Sequence, residues 1–71
     1  MSKTKLRPEI KEAILNNQTL RLKLAYENTK TEATIRNWVN ADDLMLTTAM
    51  NIDIICSELN VNYENIFALE L

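Results

Sequence analysis

The sequence predicts an all-α domain, a compact bundle of about five short helices. Three observations predict this class: apolar residues recur at helical spacing, helix-starting and helix-ending residues separate these runs, and no two convincing strands are present to pair. The 71 residues suffice for one domain with a modest core, since a chain of this length buries about 60% of its extended surface. We expect residues 1–7 to form a basic arm and residues 8–71 to form the domain.

The first helix is expected to begin at Pro8 and to end at Asn16–Asn17. Proline suits the first turn because its missing N–H would have no helical partner there, and Glu9 favours the positive end of the helix dipole. Ile10 and Ile14 lie four residues apart and form an apolar stripe. Asparagine tolerates the left-handed conformation that closes helices, which places the end of this helix.

The next segment, TLRLKLAYEN at residues 19–28, fits two patterns. Leu20, Leu22 and Leu24 alternate with basic residues, which is the period of a half-buried strand. The segment is nevertheless rich in good helix formers, contains no β-branched residue after Thr19, and has no second strand to pair with. We therefore predict a second helix, with Thr19 as its N-cap.

A third helix, Thr31–Val39, is predicted to follow after a short turn. Thr31 is a natural N-cap, and Ile35 and Trp38 lie three apart, so both are expected to turn inward. Residues 40–43, NADD, are then predicted to form a loop.

Two further helices complete the predicted bundle. The fourth covers roughly residues 47–59, with Asn51 on its outer face. Its buried face is expected to contain Ala49, Ile52, Ile55, Cys56 and Leu59. Asn62 would cap a short fifth helix, and Val61 before this cap would pack on Ile66.

The composition argues against catalysis. The chain has no histidine, which removes the usual general base near neutral pH and the commonest metal ligand. Without glycine it has no glycine-rich phosphate-binding loop. Cys56, within IDIICSEL, is expected to be a packing thiol, and Asp42–Asp43 a helix-start cap and not a metal site. We expect no enzyme, metal, cofactor or small-molecule substrate.

The cysteine content, the N-terminal stretch and the length of the apolar runs indicate a cellular location. A single cysteine cannot form an internal disulfide, so a reducing cytoplasm is the expected environment. The N-terminal stretch MSKTKLRPEI lacks the apolar segment of a secretory signal. The longest apolar runs are only a few residues, well short of the roughly 20 that cross a bilayer, so no membrane association is expected.

Positive charge is confined to the first half of the chain. Residues 1–36 hold eight basic and four acidic residues, a net charge of +4, whereas residues 37–71 hold six acidic and no basic residues, a net charge of −6. This asymmetry indicates either a surface that faces a polyanion or two solvated faces that attract each other within the fold. The charge pattern alone leaves both interpretations open.

Residues around the predicted turn carry a family resemblance. Leu24 and Ala25 place an apolar and a small residue together in one helix, where the small side chain lets the next helix cross closely. Ile35 and Trp38 fill two inward positions of that next helix, and the later stretch LNVNYENIF contains a polar break, a valine and a capped segment ending in two apolar residues. On these residues the chain resembles the lambda-repressor and Cro family of helix-turn-helix domains, also called the XRE type.

The motif, at about residues 21–40, departs from the family at its turn. The family usually has an apolar residue, glycine and a second apolar residue there, whereas this chain has Asn28, Thr29 and Lys30. Glycine is favoured because the turn needs a positive φ, which is costly for a β-branched residue such as Thr29. We therefore expect Asn28 to adopt the positive φ, with the turn shifted one residue earlier.

The resemblance implies a small sequence-specific DNA-binding transcriptional regulator of bacterial or phage type. The helix Thr31–Val39 would lie in the major groove of double-stranded DNA. By the resemblance, base edges would be contacted by Glu32, Ala33, Arg36 and Asn37. Phosphates would be held by Arg21, Lys23, Lys30 and Thr31, with further backbone contacts from the arm residues Lys3, Lys5 and Arg7. Glu32 and Arg36 also have the spacing of an ordinary ion pair on an exposed helix face.

One motif reads only a few base pairs, so a homodimer on DNA is expected, with Phe67 and Leu69 as its candidate contacts. The alternative is a helical protein–protein interaction module that keeps the fold without binding DNA. In that case the acidic second half would recognise a basic partner, and Leu22 with Tyr26, four residues apart, would form a contact patch.

Overall fold

Four α-helices and two short 3-10 turns make up the computed structural model, which describes residues 5–68. The helices are α1 (Pro8–Leu15), α2 (Gln18–Asn28), α3 (Glu32–Ala41) and α4 (Ala49–Leu59). The 3-10 turns are Leu44–Thr47, before α4, and Tyr63–Asn65, after it. Residues 5–68 contain no β-strand, so the predicted all-helical class is confirmed, while the predicted fifth helix is only the second 3-10 turn.

A single apolar core holds these helices together, and its most extensive helix–helix contact is α2 against α3. Leu24 and Ala25 of α2 and Ile35 and Trp38 of α3 all belong to this buried cluster. The cluster also contains Leu6, Ile10, Ile14, Leu20, Val39, Leu46, Ile52, Ile55 and Ile66. Ala25, whose small side chain suits a close crossing of two helices, is buried in this core.

Side-chain oxygens cap the starts of three elements. Thr31 caps α3 as predicted, its Oγ1 accepting from the N–H of Thr34 at 3.2 Å. Asp43 caps the first 3-10 turn, accepting from Met45 N–H at 2.9 Å. The prediction of Thr19 as the cap of α2 is wrong. Asn17 is the cap, its side chain accepting from the N–H of Leu20 at 3.0 Å, and the helix begins directly after it, at Gln18.

Three helices end on left-handed residues other than glycine. Thr29, Asp42 and Asn60 follow α2, α3 and α4 with φ of 52°, 54° and 57°. After α2, Thr29 N–H donates to Tyr26 O at 3.2 Å and Lys30 N–H donates to Ala25 O at 2.9 Å, which satisfies two terminal carbonyls. A left-handed conformation costs a residue with a Cβ about 1–2 kcal/mol, and branching at Cβ makes Thr29 the least favourable of the three.

The prediction that Asn28 adopts the positive φ is therefore wrong, and its side chain explains the difference. Asn28 is the last residue of α2, and its amide donates to Leu24 O at 2.6 Å and to Asn51 Oδ1 at 2.8 Å. Asn51 in turn donates to Asn28 Oδ1 at 3.3 Å and to Met45 O at 2.9 Å. Asn28 stays helical because this position lets its amide join α2 to α4.

Asn51 itself corrects the predicted face of α4. Its side chain is 0% exposed, although the sequence placed it outside. The buried residues of α4 are Asn51, Ile52 and Ile55, whereas Ala49 is exposed and Cys56 is half-buried. The buried face of α4 is therefore rotated from the predicted one. The Asn51 amide can be buried there at little cost because its donors and acceptors are satisfied.

The two ends of the described chain lie side by side. Leu6 forms an isolated antiparallel bridge with Phe67, and Arg7 N–H donates to Ile66 O at 3.0 Å. Leu6 and Ile66 are buried, so the prediction of a free arm is wrong at Leu6 and Arg7. Lys3 of the predicted arm lies outside the described residues.

Phe67, predicted as a dimer contact, packs within this chain. Its ring meets that of Tyr63 edge to face at a centroid distance of 5.7 Å, and its carbonyl accepts from Arg7 Nε at 3.1 Å. Leu69, the other predicted contact, lies outside the described residues. Asn62 makes no side-chain cap, so its predicted capping role is wrong.

None of the helices within residues 5–68 has both the length and the apolar content that a membrane crossing requires.

Replacing Thr29 with glycine should stabilise the protein. The substitution removes the left-handed strain at a β-branched residue, offset in part by the greater freedom of glycine in the unfolded chain, for a net gain of about 0.5–1 kcal/mol. Urea unfolding of Thr29→Gly measures this gain. Asn60→Gly is the matched control, and a smaller gain is expected because asparagine tolerates this conformation better. Equal effects at both positions, or a loss at Thr29, would contradict the strain at this turn.

The Asn28–Asn51 amide pair should show strong coupling in a double-mutant cycle. Asn28→Leu alone removes the donor to Oδ1 of the fully buried Asn51 and should lower the free energy of unfolding by about 1–3 kcal/mol. Adding Asn51→Leu should recover part of that loss, because both polar groups are then removed together. Urea unfolding of the two single variants and the double variant measures the coupling. Simple additivity of the two losses would contradict it.

Candidate nucleic-acid interface

α3 has one buried face and one exposed face. Ile35 and Val39 are completely buried, and Trp38 is 9% exposed, which fixes the rotation of the helix on the core. The opposite side of the helix is exposed and presents Ala33, Arg36, Asn37 and Asn40. The outward face of α3, defined by these four residues, contains one cation, two amides and one methyl group.

The N-terminal end of α3 lies next to a cation. Thr31 caps the helix, and its hydroxyl also lies 3.0 Å from that of Thr34. Lys30, the preceding residue, is exposed, as is Thr31. The unpaired N–H groups of a helix start carry partial positive charge, so this end of α3 favours an anion.

Arg21 and Glu32, both predicted as nucleic-acid contacts, are turned toward each other inside the domain. Arg21 Nε lies 2.7 Å from Glu32 Oε2, and the two side chains are only 11% and 24% exposed. Arg21 Nη1 also donates to Ile14 O at 3.1 Å and to Leu15 O, at the end of α1. One guanidinium therefore ties together the end of α1, the first turns of α2 and the start of α3.

This pair changes the electrostatics of the outward face of α3. Glu32 Oε2 binds Arg21, and Glu32 Oε1 lies 4.0 Å from Arg36 Nη2, at the limit of an ion pair. The Glu32–Arg36 pairing that the sequence allows is therefore present but weak, and Arg36 remains 53% exposed. Glu32 remains 24% exposed, but its pairing with Arg21 offsets its negative charge beside the outward face of α3.

Two ion pairs connect the basic first half of the chain with the acidic second half. Lys11 Nζ lies 2.9 Å from Asp42 Oδ1, and Lys23 Nζ lies 2.7 Å from Glu58 Oε1. These contacts support the interpretation that the two charged faces attract each other within the fold. Lys23, a predicted phosphate contact, therefore already has an anionic partner in this chain.

Unpaired positive charge is concentrated near the start of α3. Among residues 5–68, Lys5 and Lys30 make no ion pair within 4.0 Å, and Arg36 makes only the long contact with Glu32. Lys30 precedes the helix and Arg36 lies on its second turn. Of the predicted phosphate contacts, Arg21 and Lys23 are therefore paired within the chain, whereas Lys30 makes no ion pair among residues 5–68.

Two apolar surfaces are exposed away from the core. Leu22 is 50% and Tyr26 is 80% exposed on the outer side of α2. An open groove of about 500 Å³ there is lined by Thr19, Leu22, Lys23, Tyr26, Glu27 and Ile54. The second surface, which was not predicted from the sequence, consists of Leu44, Met45 and Met50 around the first 3-10 turn. The sequence feature that could have indicated this surface is the apolar run LML at residues 44–46, directly after the predicted loop.

Cys56 lies half-buried on α4. Burial, and then the nearby negative charge of Asp53, raise the pKa of the Cys56 thiol above its ordinary value. A raised pKa keeps the sulfur protonated and poorly nucleophilic near neutral pH, which favours a packing role.

No family model matches this chain, and neither does any curated protein or solved structure. The protein is a helical domain in which a three-residue turn joins α2 to α3, and the outward face of α3 is largely polar.

Arg21 should contribute far more to stability than Lys23, although both are paired bases on α2. Arg21→Ala removes a largely buried ion pair and two bonds to the carbonyls that end α1, and should lower the free energy of unfolding by about 2–3 kcal/mol. Lys23→Ala breaks a pair whose lysine is 56% exposed, so the loss should stay within about 0.5 kcal/mol. Urea unfolding compares the two. Similar losses would show that the Arg21 pair does not hold the helices together.

Proposed function

We propose that this protein is a small sequence-specific DNA-binding regulator of bacterial or phage type, with α3 in the major groove as the second helix of a helix-turn-helix motif. The observation that carries the proposal is the outward face of α3, which exposes Ala33, Arg36 and Asn37, while the neighbouring carboxylate of Glu32 is paired with Arg21. This arrangement agrees with the resemblance of residues 21–40 to lambda-repressor and Cro domains.

The three side chains match the chemistry of base edges. The Arg36 guanidinium can donate two hydrogen bonds to O6 and N7 of guanine, and the Asn37 amide can donate to N7 and accept from N6 of adenine. The Ala33 methyl suits contact with the methyl group of thymine. Each well-formed bidentate pair contributes about 1–3 kcal/mol of discrimination against the wrong base.

The free cations and the helix start suit phosphate binding. Lys30 is exposed and makes no ion pair among the described residues, and the first N–H groups of α3 point toward the same end of the helix. Arg21 and Glu32 become positioning residues in this proposal, because their ion pair fixes the start of α3 from inside the domain. Glu32 is therefore not proposed to contact a base.

Binding should be weak for one copy and strongly dependent on salt. Lys30, Arg36 and Lys5 would neutralise two or three phosphates at most, so the logarithm of affinity should fall with the logarithm of salt concentration with a slope of about 2 to 3. The proposed regulator would therefore need two copies on neighbouring half-sites for useful affinity.

The test is titration of the pure protein into fluorescent random-sequence duplex DNA at several salt concentrations, followed by selection of preferred duplexes from the random pool. Lys30→Ala should weaken binding to all sequences and reduce the salt slope by about 1. Arg36→Lys keeps the charge but loses the bidentate geometry, so base preference should fall while the salt slope stays unchanged.

Lys11→Ala is the matched control, since it removes one positive charge whose side chain is already paired with Asp42. Its effect on affinity should be smaller than that of Lys30→Ala. Binding that ignores salt, or a Lys30→Ala effect no larger than the control, would remove the support for α3 as the DNA-reading helix.

The alternative function is a helical protein–protein interaction module. The observation that favours it is the pair of exposed apolar surfaces, one around Leu22 and Tyr26 and the other around Leu44, Met45 and Met50. Absence of duplex binding even at low salt, with a folded protein, would favour this function over the first.

A further inference from the structure

We propose that the groove between α2 and α4 binds a basic amphipathic helix of another protein. We call it the α2–α4 groove and define it by Leu22, Tyr26, Glu27, Asp53 and Ile54. None of these residues belongs to α3, so the inference goes beyond the proposed DNA binding and does not depend on it.

Two contacts fix the direction of the helices that form the α2–α4 groove. At one end Asn28 of α2 donates to Asn51 of α4 at 2.8 Å, and at the other end Lys23 Nζ lies 2.7 Å from Glu58 Oε1. From the Lys23 end to the Asn28 end, residue numbers rise along α2 and fall along α4, so the two helices are antiparallel. The residues that define the groove lie between these contacts or directly beside them.

The centre of the α2–α4 groove is apolar and open. Leu22 and Tyr26 lie four residues apart on the exposed side of α2, and Ile54 of α4 is half-buried beside them. The cavity of about 500 Å³ over these side chains adjoins a second one of about 250 Å³, because Lys23 and Ile54 line both. The groove therefore extends along the two helices, which suits an elongated segment better than a compact small molecule.

Charge identifies the partner as basic. Glu27 and Asp53 are exposed, one on each helix of the groove, and neither makes an ion pair within residues 5–68. Lys23, a basic residue at the groove, is already paired with Glu58. The α2–α4 groove therefore has two uncompensated negative charges beside its apolar centre. A partner with arginine or lysine next to apolar side chains would match both features.

The tertiary structure joins two features that are separate in the sequence. The Leu22–Tyr26 patch belongs to the basic first half of the chain, whereas Asp53 and Ile54 belong to the acidic second half. Antiparallel packing of α2 and α4 places the patch beside those residues in one groove. Pairing of Lys23 with Glu58 then cancels the positive charge that α2 would otherwise contribute there.

The same charges disfavour two other occupants. Each copy of this chain has two uncompensated carboxylates at the groove, so two copies meeting there would oppose like charges. A nucleic acid would bring its own negative phosphates to the same carboxylates. A basic helix is the occupant that both the apolar centre and the charges accept.

The dimensions of the groove indicate the length of the partner segment. α2 and α4 each have 11 residues, which corresponds to about 16 Å of helix. A partner helix of about three turns would place apolar residues at positions i, i+3 or i+4, and i+7 along the groove, with basic residues on either side. Because this contact is smaller than a standard interface and the segment is ordered on binding, we expect a micromolar dissociation constant.

The experiment measures fluorescence anisotropy of labelled peptides of about 14 residues with the pure protein in the absence of DNA. The basic peptide has leucine at helical spacing and arginine on both flanks of that apolar face. An acidic peptide has glutamate in place of every arginine, and a third peptide has the basic composition in an order that breaks the helical spacing. The basic peptide should bind with a micromolar dissociation constant, and the other two at least about tenfold more weakly.

Substitutions of apolar residues test whether the peptide occupies the α2–α4 groove. The double variant Leu22→Ser with Tyr26→Ser should raise the dissociation constant of the basic peptide at least about tenfold. Its helicity by circular dichroism should stay unchanged, because both side chains are largely exposed. Leu44→Ser removes an exposed leucine from the other apolar surface and should leave the dissociation constant unchanged.

Substitutions of acidic residues test the charge match. Glu27→Gln with Asp53→Asn should raise the dissociation constant about threefold to tenfold at low salt, and this difference should vanish at high salt, where exposed charges are screened. The double variant Glu12→Gln with Glu64→Gln is the matched control. It removes two exposed carboxylates outside the groove and changes the net charge by the same amount, so its effect should be less than about twofold.

Failure of the basic peptide to bind at about 1 mM protein would overturn the inference. So would equal binding of the acidic peptide, or a loss at Glu12 and Glu64 as large as that at Glu27 and Asp53, because net charge alone would then explain the attraction. A dimer of the protein alone that the Leu22 and Tyr26 double variant dissociates would assign the face to a second copy and overturn it as well.

The outcome is separate from that of the proposed DNA binding. All peptide measurements are made without DNA, and the Leu22 and Tyr26 double variant should bind duplex DNA as tightly as the unaltered protein, because neither residue is on α3. Failure of the α2–α4 groove would therefore be distinct from failure of α3 as the DNA-reading helix.

Discussion

The contact of Arg21 with Glu32 and with the end of α1 is the constraint on which the presentation of α3 depends. Arg21 Nε donates to Glu32 Oε2 at 2.7 Å, and Arg21 Nη1 donates to the carbonyls of Ile14 and Leu15. Because α1 and α2 are joined by only two residues, this guanidinium also satisfies carbonyls that the end of α1 leaves open. The pair engages the carboxylate of Glu32 beside the outward face of α3, and Arg36 remains 53% exposed.

The ends of the helices show how a chain without glycine closes its turns. Thr29, Asp42 and Asn60 each adopt a left-handed conformation, and hydrogen bonds back to the preceding turn compensate part of the cost. At α2 the tertiary structure adds a second compensation. Asn28 bonds to Leu24 and to the fully buried Asn51, so the last residue of α2 anchors this helix to α4.

The charges of this protein have two roles that composition alone could not separate. Lys11 and Lys23 join the basic half to acidic residues of the other half and contribute to the fold. Within residues 5–68, Lys30 makes no ion pair and Arg36 only a long one, and both lie at or near the start of α3, where the helix dipole also favours an anion. A small number of free cations, and not the net charge of −2, is what bears on a polyanionic partner.

The sequence by itself determined the helical class and the inward residues of α3, because apolar spacing and a capping threonine are local signals that propagate along one helix. It did not determine that Asn51 is buried, that Thr29 takes the left-handed turn, or that Arg21 turns inward. Each of these depends on a partner far away in sequence: Asn51 and Asn28 are 23 residues apart, and Arg21 and Glu32 are 11 apart. Only the packed structure brings such partners within hydrogen-bonding distance, and only then does burying a polar group become favourable.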